Sequence, residues 1–130
     1  MKNYWDSSAL IEATVDLPLR KRLEDEGGFT RPHALAETFS VLTSGKFSIR
    51  TDAEAAAQIV EELVADLKFV DLTALEIITA LKKAKRLGVR GGRVHDFLHA
   101  VAAEKAGADK IITLDQNGFS DLTGLKIEMA

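Results

Sequence analysis

The 130-residue chain contains no cysteine, which excludes both a disulfide framework and a thiolate zinc site and fits a reducing compartment. No apolar run approaches the roughly 18 residues of a membrane helix, and no basic-then-apolar start of secretory type is present. A soluble, cytoplasmic protein that does not enter a membrane is therefore expected. Positive charge is not in excess either: 17 Lys and Arg stand against 20 Asp and Glu, for a formal net charge of −3. That balance argues against a protein that holds nucleic acid by bulk attraction. There is no internal repeat, low-complexity tract or long linker, and the length suits a single compact domain over residues 1–130.

What is present is an alternation of short apolar strands and helices. Lys2 to Asp6 reads as a strand, with Ser7 or Ser8 capping a short helix through Glu12. A helix from Asp16 to Glu26 tolerates Pro18 in its first turn and stops at Gly27-Gly28. Phe29 to Arg31 is extended, and His33 to Thr43 is helical. After the loop SGKFSIRTD, a helix capped by Thr51 or Asp52 runs to about Ala65. The strand KFVDL (68–72), a long helix from Thr73 to Leu87, a helix from His95 to Ala106, the strand KIITL (110–114), an Asn117-Gly118 turn and a last strand from Leu125 to Met129 complete the chain. Strands alternating with helices imply a parallel sheet covered on both faces, an α/β fold.

In such a sheet, ligands bind beyond the carboxyl ends of the strands. Asp6 ends the first strand and Asp115 follows KIITL, so both fall on that rim. Taken singly, each is better read structurally, Asp6 as a helix cap and Asp115 as an Asx-turn into Asn117-Gly118. Glu37 lies in HALAETFSVL on a stripe with Ala34 and Val41, opposite the stripe of Leu35, Phe39 and Leu42. A helix apolar on two sides leaves that Glu with few polar neighbours, although an edge-exposed position fits equally well. Asp96 shares its helix face with Ala100, Ala103 and Gly107, small residues that permit close approach to the sheet. An acid in a first helical turn is also favoured by the helix dipole alone. If the four acids converge, they repel one another, and divalent cations with a preference for hard oxygen ligands, Mg²⁺ or Mn²⁺, would neutralise them. With those acids set aside, the rest of the chain turns slightly positive.

The segments DSSAL, PHALAETFSVLT, GGRVHDFLHAVAAEKAGADKIITLD and TLDQNGF together resemble the PIN-domain ribonucleases, and within them the VapC-type toxins of toxin–antitoxin pairs. The resemblance covers essentially the whole chain. Each motif is short, and the order and spacing carry the specificity. It implies a three-layer α/β/α fold with a parallel five-stranded sheet and an acidic site that binds Mg²⁺ or Mn²⁺. Position by position, the family's acids fall on Asp6, Glu37, Asp96 and Asp115, its hydroxyl residue two before the last acid on Thr113, and the polar residue after the first acid on Ser7. The implied activity is hydrolysis of RNA leaving a 5′-phosphate. A small antitoxin would be the inhibitory partner, and a homodimer the common assembly.

On that reading the aspartates bind metal, Glu37 binds metal or orients the attacking water, and Ser7 and Thr113 hold the carboxylates. Cations for RNA come from Arg31, Lys46, Lys82, Lys83, Arg86, Arg90 and Arg93. Arg90 and Arg93 flank the Gly-Gly before Asp96, while Lys82 and Lys83 read as solvated surface charges. Apolar residues Ile59, Leu63, Ile77, Ile78 and Leu81 would support the homodimer. Other readings remain open at this point. His95 and His99 have the i, i+4 spacing of a zinc-binding helix, but the metalloprotease form wants Glu where Asp96 stands. An aspartyl phosphatase wants a second Asp two residues after the first, where Ser8 stands. A housekeeping RNA-processing nuclease, or a non-catalytic binding module on the same fold, would share the sequence pattern, the module being favoured only by loss of a core acid.

Overall fold

The computed structural model describes residues 2–45 and 50–130. Lys46, one of the candidate cations, lies outside the described residues. Five short strands form the sheet: β1 (Asn3–Trp5), β2 (Gly28–Thr30), β3 (Leu67–Phe69), β4 (Lys110–Thr113) and β5 (Lys126–Met129). All pair in parallel, in the order β3-β2-β1-β4-β5. The helices are α1 (Ser7–Ala13), α2 (Leu17–Glu26), α3 (His33–Ser44), α4 (Ala53–Leu63), α5 (Ala74–Leu81), α6 (Ala84–Leu87) and α7 (Arg93–Ala106), with a 3-10 turn at Gln116–Phe119. This is the expected α/β fold.

Side chains alternate between the faces of a strand, and both faces are buried. Tyr4 and Ile111 enter one core, with Phe97, Ala100 and Ala103 of α7 and Ala80 of α5. Their neighbours Trp5 and Ile112 enter the other, with Leu10 of α1, Leu19 and Leu23 of α2, and Leu63 of α4. Each large side chain so buried contributes about 2 kcal/mol relative to exposure, which is why near-continuous apolar strands are stable only between two helical layers. One close approach requires glycine. A Cβ on Gly28 would stand 2.2 Å from the backbone oxygen of Asn3 in the neighbouring strand, and its φ of +122° is outside the range of ordinary side chains.

The chain leaves β1 for β2 and β3 on one side, then returns to place β4 and β5 on the other. The reversal puts a crevice between the carboxyl ends of β1 and β4, the place where open α/β sheets bind ligands. Asp6 follows β1, and Thr113 closes β4 two residues before Asp115.

Several boundaries differ from the sequence reading. Asp6, rather than Ser7 or Ser8, caps α1, its carboxylate accepting from Ala9 N at 2.9 Å. The helix expected from Thr73 to Leu87 is two helices, because α5 closes at Leu81 and Lys82-Lys83 form a turn before α6. Helix α7 begins at Arg93 instead of His95, and the strand expected over 68–72 is Leu67–Phe69. No helix among the described residues is long and apolar enough to cross a membrane.

Candidate active site

Asp6 is the most enclosed of the acids, 3% exposed. Its Oδ1 accepts from Ser8 Oγ at 2.7 Å as well as from Ala9 N, and its Oδ2 accepts from Thr113 Oγ1 at 2.6 Å. Thr113 in turn accepts from Asp115 N at 2.9 Å, and Ser8 Oγ accepts from Leu114 N at 3.0 Å. Two hydroxyls thus tie the end of β1 to the end of β4. The helix-cap reading of Asp6 holds, its carboxylate starting α1 at the carboxyl end of β1. Burial pushes Asp6 above the usual carboxylate range despite those hydrogen bonds and the nearby His99.

Asp96 sits in the first turn of α7, whose Ala100 and Ala103 are fully buried against the sheet as their size suggested. Its pKa rises from 3.8 to about 6, first through burial and then through the negative charges of Asp6 and Asp115, with His99 and His95 offsetting part. Asp115 caps the 3-10 turn, its Oδ1 accepting from Gly118 N at 3.0 Å. Gly118 is where the two meet: a Cβ there would lie 2.5 Å from Asp115 Oδ2 and 2.6 Å from Asp96 Oδ2. The missing side chain leaves a cradle with a carboxylate oxygen on either side. In the sequence, Gly118 is legible only as half of a turn dipeptide.

Glu37 comes from the opposite helical layer and meets Ser7, the residue that follows Asp6. Its Oε1 accepts from Ser7 Oγ at 2.7 Å and lies 3.4 Å from His33 Nε2 and 3.7 Å from His99 Nε2. Burial works to raise its pKa, but the hydrogen bonds of His99 and of the Ser7 hydroxyl, with His33 beside them, prevail and hold it down to about 2. Its Oε2, like the carboxylate of Asp96 and Oδ2 of Asp115, takes no hydrogen bond from a described residue. His33 stacks on His95 with ring centroids 5.7 Å apart, so His95 borders the site. His99 lies deeper: it is buried, with Nδ1 2.7 Å from Tyr4 Oη and Nε2 3.0 Å from Ser7 Oγ. Because both ring nitrogens are engaged, the zinc-helix reading of His95 and His99 fails.

Among the described residues, no three His, Asp or Glu side chains are drawn tightly enough to enclose a metal ion as they stand. Their chemistry nevertheless fits a hard divalent cation. The free donors are carboxylate oxygens, two of them line the cradle over Gly118, and mutual repulsion raises Asp96. A pH effect follows for the metal-free protein. Asp96 keeps its proton in the fold up to about pH 6, whereas the unfolded chain releases it near 3.8. The folded state therefore binds more protons in that window, and stability falls as pH rises through it, with Asp6 acting in the same direction. In chelator, the melting temperature is expected to decline from about pH 4 to about pH 6 more steeply than in Asp96→Asn. Equal slopes in the two proteins would show that the pKa of Asp96 is not raised by burial or by the other acids.

Arg31 follows β2 on the same rim. It is 9% exposed, yet its guanidinium makes no ion pair or hydrogen bond to another described residue. Arg93 is spent differently, donating to the carbonyl of Ser120, while Arg90 is exposed. Lys83 and Arg86 line a cavity of about 530 Å³ beside Leu75, Phe97 and Leu122, among residues that do not include the four acids.

Known proteins bear on this geometry. A family model described as the PIN domain matches residues 4–125. Among solved structures, the chain is similar to one described as VapBC2 from Rickettsia felis bound to a DNA fragment from their promoter, with a TM-score of 0.69, 17% identity, and coverage of 99% of this chain and 98% of that one. No curated protein matches significantly. With the match running from β1 to the approach to β5 and taking in all four acids, the chain belongs to the PIN domain family.

Proposed function

We propose that this chain is a Mg²⁺- or Mn²⁺-dependent endoribonuclease of VapC type, the toxin of a type II toxin–antitoxin pair acting in the cytoplasm. The observation that carries it is the meeting of Asp96 and Asp115 over Gly118, at the strand ends where Thr113 ties Asp6 to Asp115, in a PIN fold. The bound cation would supply positive charge to acidify water and offset negative charge developing at phosphorus. Asp6, Asp96 and Asp115 would hold it, Asp6 fixed by Thr113 and Ser8, and Asp115 by Gly118 N. Glu37, with Oε1 engaged by Ser7, offers Oε2 to ligate or to orient the attacking water. Arg31, enclosed and unpaired among the described residues, supports contact with the RNA backbone, with exposed Arg90 as an outer contact.

The test is cleavage of single-stranded RNA with Mg²⁺ or Mn²⁺. Products carrying 5′-phosphate and loss of cleavage in chelator are expected, and metal-independent cleavage or none would refute the reading. The likeness to VapBC2 supports a small antitoxin as partner. The exposed apolar side chains of α5 support a homodimer. Ile59, Leu63 and Ile77 pack inward, but Ile78 and Leu81 remain open to solvent and Leu75 is 73% exposed. Light scattering at tens of micromolar, roughly the working range of an obligate dimer, should give twice the chain mass. Substitution of Leu75 and Leu81 by Asp should halve it, and a monomeric parent protein would count against the homodimer.

A further inference from the structure

Tyr4, His99, Ser7 and Glu37 come from four different elements, β1, α7, α1 and α3, and meet in one line of contacts. The directions of the hydrogen bonds follow from what each group can donate. Glu37 accepts only, so the single hydroxyl hydrogen of Ser7 goes to Oε1 at 2.7 Å. Ser7 Oγ must then accept from His99, which places a hydrogen on Nε2 at 3.0 Å. Tyr4 Oη, 0% exposed, has no other hydrogen-bond partner among the described residues. Its hydrogen therefore goes to Nδ1 at 2.7 Å, since a buried donor left without an acceptor is costly. All three donors face the same way.

We infer that Tyr4 and His99 are positioning residues, forming with Ser7 a one-directional hydrogen-bond relay that fixes the Glu37 carboxylate at the rim. The relay occupies Oε1 and leaves Oε2 as the oxygen presented to the crevice. It also explains a cost the fold would otherwise not bear. Phe, Leu and Ala in the places of Tyr4, His99 and Ser7 would fill the same space without desolvating polar groups. The polar chain serves orientation: Glu37 projects from α3, and the relay links it through Ser7 of α1 to His99 of α7 and Tyr4 of β1. Water cannot substitute for these contacts, because Tyr4 and His99 are closed to solvent.

The relay itself is tested without any turnover, while its consequence for rate rests on the nuclease reading. In the imidazole ¹⁵N spectrum of the metal-free, full-length chain, His99 should be a single neutral tautomer with its hydrogen on Nε2. Tyr4→Phe should move the Nδ1 resonance. A hydrogen on Nδ1, or a freely exchanging ring, would overturn the relay. In RNA cleavage, Tyr4→Phe should lower kcat about tenfold, the scale set by loss of a group supporting a reactive residue, with KM unchanged. His99→Gln, whose amide can both accept from Tyr4 and donate to Ser7, should keep most of the activity that His99→Leu loses. An unchanged kcat in a folded Tyr4→Phe protein would overturn the positioning role. If the parent chain cleaves no RNA, the nuclease reading fails, and the tautomer decides the relay by itself.

Discussion

Asp6→Asn is expected to lower RNA cleavage by at least about 100-fold, the scale of losing a metal ligand or charge stabiliser, and to leave the protein folded. The reason lies in what Asn keeps. Its Oδ1 can still accept from Ala9 N, so α1 retains its cap, and Asn is as good an N-cap as Asp. Its amide nitrogen would face Thr113 Oγ1, whose hydrogen can turn to Ser8 Oγ at 3.2 Å. What is lost is a negative charge that burial already disfavours. The melting temperature in chelator should therefore hold or rise at neutral pH, while stabilisation by added Mn²⁺ disappears. Full cleavage by folded Asp6→Asn would refute the metal role, and loss of activity through unfolding would reduce Asp6 to a helix cap.

Gly118→Ala should be the second large effect, at a residue that bears no functional group. Its methyl would stand 2.5 Å from Asp115 Oδ2 and 2.6 Å from Asp96 Oδ2. Both are ends of side chains that can swing aside, so the fold accommodates the change and the site does not. Mn²⁺ affinity and cleavage should each fall at least about tenfold, as when the support of a metal ligand is disturbed, with little change in melting temperature. Gly124→Ala is the control, because a Cβ there meets nothing within 4 Å. If Gly118→Ala binds Mn²⁺ as the parent does, the space between the two carboxylates is not where the cation sits.

The parts of this site legible in the sequence are those marked by local pattern. A carboxylate ending a strand announces its place on the rim, as Asp6 and Asp115 do, and small residues spaced along α7 announce that Asp96 is drawn to the sheet. The parts that were not legible depend on contacts distant in sequence. Nothing near Tyr4 indicates His99, its hydrogen-bond partner, and His99 invited a zinc reading through its spacing to His95. Gly118 has no side chain to signal a role. At the level of elements, Lys82 and Lys83 are adequate helix formers, so propensity predicted one helix where tertiary packing makes two. The sequence leaves the cap of α1 open among Asp6, Ser7 and Ser8 because all three residue types can cap a helix, and the structure places it at Asp6.

Anomalous diffraction from crystals of the protein grown with Mn²⁺ should show whether the carboxylates around the β1–β4 crevice bind a divalent cation. The expected result is an anomalous peak at the crevice beside Gly118, with Asp6, Asp96 and Asp115 as ligands and Glu37 lining the same site. Ordered crystals in millimolar Mn²⁺ with no peak there, or with the peak only at acids elsewhere on the surface, would contradict it.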